Sequence, residues 1–122
     1  MKDKLLKIED NQIEKHLTSL RGWTYEAGSL KKTFRTKDWR STLMLTSMIS
    51  YLCEIAWHHP KLELEYNSLT VFLCTHDVKG VSSRDFEVAN KIDDIVDWEP
   101  RDHSGVSLTG LPEANPLLVD RD

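Results

Sequence analysis

Between Asp38 and His58 the chain carries neither glycine nor proline, and Pro60 closes that stretch abruptly. Leu45, Met48, Ile49, Leu52, Ile55 and Ala56 recur within it at helical spacing, which predicts one long amphipathic helix. Proline biases the residue before it away from the helical region. The helix must therefore stop near His58 and leave His59 extended, so the two adjacent histidines cannot continue one helical face.

The segments on either side have different periods. Ile13, Leu17 and Leu20 predict a first helix over about 9–20, with Asp10 and Asn11 as candidate caps and Gly22 ending it. Trp23 to Glu26 and Leu30 to Arg35 read as two short strands around Ala27-Gly28-Ser29, although Lys32 interrupts the apolar alternation of Leu30 and Phe34. After Pro60, Leu62, Leu64 and Tyr66 alternate with Glu63 and Glu65, and Asn67-Ser68 supplies turn chemistry. Leu69, Val71, Leu73 and Thr75 then face one way while Thr70, Phe72, Cys74 and His76 face the other, so a hairpin delivers His76 at its end. Ser82-x-x-Asp85 has the form of a capping box ahead of the stripe Phe86, Ala89, Ile92 and Val96. The order α-β-β-α-β-β-α predicts an α+β two-layer sandwich, a four-stranded antiparallel sheet with three helices on one face.

A chain of 122 residues with 39% apolar content suits one domain with one core. That domain is placed at 1–98, with 99–122 as an extended tail whose Leu111 and Leu117-Leu118-Val119 offer apolar docking points. With 16 Lys+Arg against 20 Asp+Glu, and the basic residues scattered, the charge argues against nucleic acid as a ligand. No apolar run approaches the roughly 18 residues of a membrane span, and the amino terminus lacks the form of a secretion signal. A cytoplasmic protein is expected, with Cys53 and Cys74 as buried thiols.

The candidate site starts from the histidines. His58 falls at the carboxyl end of the long helix, where unpaired carbonyls attract positive charge, and Glu54 stands one turn earlier. His59, redirected by Pro60, and His76, from the hairpin, could meet His58 across a small cleft that holds no obvious nucleophile. Imidazole is the side chain suited to exchange protons near neutral pH. Bland roles exist for each residue: His58 as a helix cap, Glu54 as a solvated helix residue, Asp77 as a turn former and Asp85 as a capping carboxylate. A zinc site is disfavoured because neither His-x-His nor His-x-x-x-His occurs. His16 and His103 are assigned to surface and tail.

Glu54-x-x-x-His58-His59-Pro60, with Tyr66-Asn67, Thr75-His76-Asp77 and Gly80-Val81-Ser82-x-x-Asp85 downstream and Gly22-Trp23 upstream, resembles the signature of the pterin-4a-carbinolamine dehydratases over about residues 5 to 97. The resemblance implies an α+β sandwich assembled into homodimers and homotetramers. It implies elimination of water from 4a-hydroxytetrahydropterin to give quinonoid dihydropterin, recycling the pterin used by an aromatic amino-acid hydroxylase, with no metal or other cofactor. It assigns His58 and His76 as the acid–base pair, and His59 to pterin binding and assistance at the hydroxyl. Glu54 would orient His58, and Asp85 would hold His76 or complete the cleft wall. Backbone groups of His58 to Pro60 and of Thr75, His76, Asp77 and Val78 would grip the pterin. Relatives of the family also serve as non-catalytic dimerisation cofactors of a transcription factor or as assembly factors, which is the rival implication. The stretch beyond Trp98 has no counterpart in the family's common short members.

Overall fold

A computed structural model describes residues 4–100, 108–110 and 118–120. The elements run α1 (Asp10–Leu17), β1 (Thr24–Glu26), β2 (Ser29–Arg35), α2 (Trp39–Ile55), β3 (Lys61–Glu65), β4 (Ser68–Leu73), a single 3₁₀ turn (His76–Val78) and α3 (Ser83–Val96). The four strands form one antiparallel sheet in the order β1-β2-β4-β3. The chain has the expected α+β fold.

Each boundary has a local cause. Ala27 and Gly28 both take positive φ, +48° and +83°, and so close a two-residue hairpin between Glu26 and Ser29 with the twist the strands need. Asp38 caps α2 by accepting from the Ser41 N–H at 2.8 Å, a bond that holds its carboxyl below the ordinary carboxylate range. Ser82 and Asp85 form the anticipated capping box at the start of α3. At α1, Glu9 occupies the cap position without a side-chain bond, so neither Asp10 nor Asn11 plays that part.

The core lies between the helices and one sheet face. Leu30 and Phe34 from β2, Leu69, Val71 and Leu73 from β4, Leu45, Ile49 and Leu52 from α2, and Phe86, Ala89 and Ile92 from α3 are all buried. A fully enclosed side chain such as Ile49 contributes about 1.5–3 kcal/mol. Lys32 explains the broken alternation of β2. It faces inward between Leu30 and Phe34, its ammonium 5.9 Å and 4.9 Å from the ring centres of Trp23 and Phe34, and meets Asp93 at 2.9 Å and the Arg21 carbonyl at 3.1 Å. The period of two was intact, with a cation at one inward position.

Two apolar placements differ from the sequence reading. Ile55 lies on the outward side of α2, 68% exposed, because the buried stripe runs through Ser41, Thr42, Leu45, Ile49, Leu52 and Cys53. Tyr66 is exposed because β3 ends at Glu65 and Tyr66-Asn67 form the turn into β4. In the tail, Val119 bridges Thr36 and the Asp120 N–H donates to the Arg35 carbonyl at 2.8 Å, so part of the tail docks on the end of β2. Leu111, Leu117 and His103 lie outside the described residues. No helix among the described residues is long and apolar enough to cross a membrane.

The two thiols separate. Cys53 is fully enclosed on α2, and burial pushes its thiol up to about 11, whereas Cys74 follows β4 and is only half-buried. Iodoacetamide at pH 8 is therefore expected to alkylate Cys74 in the native protein and Cys53 only after denaturation. Equal labelling of both in native protein, read by peptide mass spectrometry, would contradict this placement.

Candidate active site

The carboxyl end of α2 builds the site. The Ala56 N–H donates to the Leu52 carbonyl at 3.0 Å, Trp57 N–H to Glu54 at 3.1 Å, and His58 N–H to Cys53 at 3.0 Å. The last two bonds make a Schellman closure, which requires a left-handed residue between helix and exit strand. Trp57 fills that position with φ +50°. The reversal sends His58 inward, where it is buried, and leaves His59 exposed on the outside.

Inside, His58 meets α3. Its Nε2 lies 2.5 Å from Oδ1 of Asp85, a residue with no exposed surface. The other carboxylate oxygen, Oδ2, accepts from the Thr75 hydroxyl at 2.7 Å and the Ser82 N–H at 2.8 Å. Because Thr75 gives its only hydroxyl proton to Asp85, the 2.6 Å contact between Thr75 and Ser82 must be donated by Ser82, whose oxygen accepts from the Arg84 N–H at 3.3 Å. Every proton in this chain points toward Asp85. An ionised Asp85 can only accept, so the network assigns the Nε2–H tautomer to neutral His58 and leaves Nδ1 as its basic nitrogen. Among the described residues no protein group takes that Nδ1.

The carboxylate partners are therefore exchanged relative to the sequence reading. Glu54 does not orient His58. The left-handed turn swings His59 back over the last helical turn, where its Nε2 lies 2.8 Å from Oε1 of Glu54. At 52% and 63% side-chain exposure this pair contributes at most about 1 kcal/mol. Asp85 holds His58 rather than His76, which is exposed at the start of the 3₁₀ turn and whose side chain makes no hydrogen bond or ion pair among the described residues.

His58, His59 and His76 nevertheless line one hollow of about 280 Å³, together with Thr75, Asp77 and Trp57. An adjoining hollow of about 390 Å³, reaching Pro60, Lys61, Phe72 and Ser29, shares His59, Cys74 and His76 as its wall. Glu54, Asp85 and Val78 line neither, so the two carboxylates reach the hollows only through the histidines they hold. The Thr75 N–H is taken by the Gly80 carbonyl at 2.7 Å, and its carbonyl accepts from Val78 at 3.2 Å, so Thr75 has no free amide for a ligand. A larger hollow of about 750 Å³ between β2, α3 and Val119 contains no histidine, and its Lys32 is already neutralised by Asp93. Among the described residues no three His, Cys, Asp or Glu side chains converge as metal ligands.

Four lining residues escaped the sequence reading: Leu5, Trp57, Cys74 and Arg84. Only Trp57 left a signal, as the residue directly before the paired histidines at a predicted helix end.

Comparison with known proteins places the chain in a family. Residues 6–95 match the family model described as pterin 4 alpha carbinolamine dehydratase. A relative from Aquifex aeolicus, provisionally named pterin-4-alpha-carbinolamine dehydratase, is 34% identical over 90 residues, covering 74% of this chain and 91% of its own. One from Sulfolobus acidocaldarius with the same provisional name is 37% identical over 90 residues, covering 74% and 99%. The crystal structure of a transcriptional coactivator/pterin dehydratase from Brucella melitensis superposes with a TM-score of 0.68 at 25% identity, covering 73% of this chain and 97% of that one. With its family match spanning the whole sheet, α2 and the histidine cluster, this chain belongs to the pterin 4 alpha carbinolamine dehydratase family.

Proposed function

We propose that the chain is a dehydratase acting on a 4a-hydroxytetrahydropterin, with His58, His59 and His76 as its proton-handling groups. The observation that carries this reading is the convergence of the three imidazoles on one hollow, one of them backed by the fully enclosed Asp85. Elimination breaks the C4a–O bond and the N5–H bond. A proton goes to the departing hydroxyl, which leaves as water, and the N5–H electron pair forms the C4a=N5 double bond of the quinonoid product.

The two proton transfers suit different histidines. His58, neutral and protonated on Nε2 toward Asp85, takes the N5 proton on Nδ1, and the buried carboxylate stabilises the imidazolium that forms. His76, exposed and with no side-chain partner among the described residues, donates to the hydroxyl and is recharged from solvent. His59, held by Glu54, lies on the wall between the two hollows and serves binding and the departing hydroxyl. Pro60, His76 and Asp77 contribute further contact surface. Because C6 neighbours N5 on the ring, its substituent would pass that shared wall into the second hollow.

A second reading, a non-catalytic dimerisation or assembly role, draws on the outward face of α2. There Met44, Tyr51 and Ile55 are 53%, 69% and 68% exposed. That face and the edge strand β3 are the surfaces through which a homodimer or homotetramer would assemble. The deciding experiment generates the 4a-carbinolamine in situ with a pterin-dependent hydroxylase and follows quinonoid formation with and without the protein. Acceleration over the spontaneous reaction is expected, and its absence would leave the assembly role as the better reading.

A further inference from the structure

We propose that Trp57 is a binding and positioning residue of this site, whose indole fixes the His59 ring and forms the outer wall against which a flat pterin ring stacks. The inference rests on the pterin reading above.

The backbone at Trp57 is the first observation. Its φ of +50° is imposed by the two hydrogen bonds that close α2, from Trp57 to Glu54 and from His58 to Cys53. Glycine or asparagine ordinarily fills such a position, because a Cβ there crowds the backbone and a large side chain is strained. Burial does not offset the strain, since Trp57 is 72% exposed. Conformational strain combined with an exposed aromatic ring, and with no gain to the core, is the pattern of a residue retained for what it contacts.

What it contacts is the site. The indole stands edge-to-face on His59, with ring centroids 4.9 Å apart and planes at 80°, and lines the same hollow as His58, His59 and His76. Among the described residues, the other side-chain bond that holds His59 is its exposed pair with Glu54. Removing the indole leaves that imidazole tethered on one side. A planar conjugated ligand entering the hollow meets the face of the Trp57 indole beside the three imidazoles, with the Asp77 carboxylate, the Arg84 guanidinium, Thr75, Cys74 and Leu5 completing the lining. The ligand class this favours is a neutral, flat, bicyclic heterocycle, and it leaves the proton transfers to the histidines.

The variants W57G, W57N and W57F separate positioning from folding. W57G and W57N relieve the left-handed strain, so their melting temperatures are expected to equal or exceed that of the wild type. Their KM is expected to rise about five- to tenfold, the scale of one lost stacking contact, with kcat changed less than KM. W57F keeps an aromatic ring and should restore most of the KM. Titration with a 7,8-dihydropterin, followed by isothermal calorimetry so that the readout does not depend on the indole, should give a matching loss of affinity in W57G. Wild-type KM and dihydropterin affinity in W57G would overturn this inference while leaving the dehydratase reading intact. So would a lowered melting temperature with KM unmoved, which would make the indole a folding element. Failure of the wild type itself to bind the dihydropterin would overturn the pterin reading, and this inference with it.

Discussion

His76→Ala is expected to lower turnover of the 4a-carbinolamine by roughly two to four orders of magnitude, the usual contribution of one positioned acid or base, while leaving the melting temperature within a degree or two of the wild type. The expectation of unchanged stability comes from its surroundings. His76 is exposed, opens a 3₁₀ turn closed by the backbone, and makes no side-chain hydrogen bond or ion pair among the described residues. His58→Ala should lower turnover on the same scale but also destabilise the fold by about 1–3 kcal/mol, because Oδ1 of the enclosed Asp85 loses its donor. Stopped-flow rates paired with thermal melts on both variants distinguish the two cases. Wild-type rates in both would remove the histidines from the mechanism.

Asp85 should give the largest combined effect. Asp85→Ala deletes the acceptor for His58, Thr75 and Ser82 together, along with half of the capping box of α3. Stranding that many buried donors is expected to cost about 3–5 kcal/mol, measured by urea unfolding. Asp85→Asn is the sharper test of mechanism because it keeps the shape. If the amide oxygen stays on Thr75 and Ser82, its NH₂ faces His58 Nε2 and forces that nitrogen to accept. The imidazole proton then moves to Nδ1, the atom proposed to take the N5 proton. A loss of roughly two to four orders of magnitude in kcat is expected from such a tautomer change, with KM affected less. A variant that melts near the wild type and turns over at its rate would show that the carboxylate serves the cap alone.

These two residues also explain why the carboxylates were misassigned from sequence. Glu54 stands four residues before His58, and on a continuing helix that spacing would pair them. The helix does not continue. Its closure turns the chain at Trp57, so the partner four residues away is lost and the one five residues away, His59, takes its place at 2.8 Å. Asp85 was recognised as the third residue of a capping box, which it is, but one oxygen suffices for the cap and its neighbours on Oδ2. The other was free to meet a group 27 residues away.

The sequence by itself determined what depends on near neighbours: the helix stop ahead of Pro60, the two hairpins, the capping box at Ser82, and therefore the α-β-β-α-β-β-α order and the identity of the three histidines. Those features follow from local backbone preference and from the periods of two and 3.6, which a single chain displays in the open. The tertiary structure alone decided which carboxylate serves which histidine, that Lys32 points inward to Asp93, that Ile55 faces out, and that Trp57 and Arg84 line the hollow. The Glu54–His59 pair follows from the turn that closes α2, and the rest depend on how α2, α3 and the sheet pack against one another. Distances between residues far apart in the chain have no local signature.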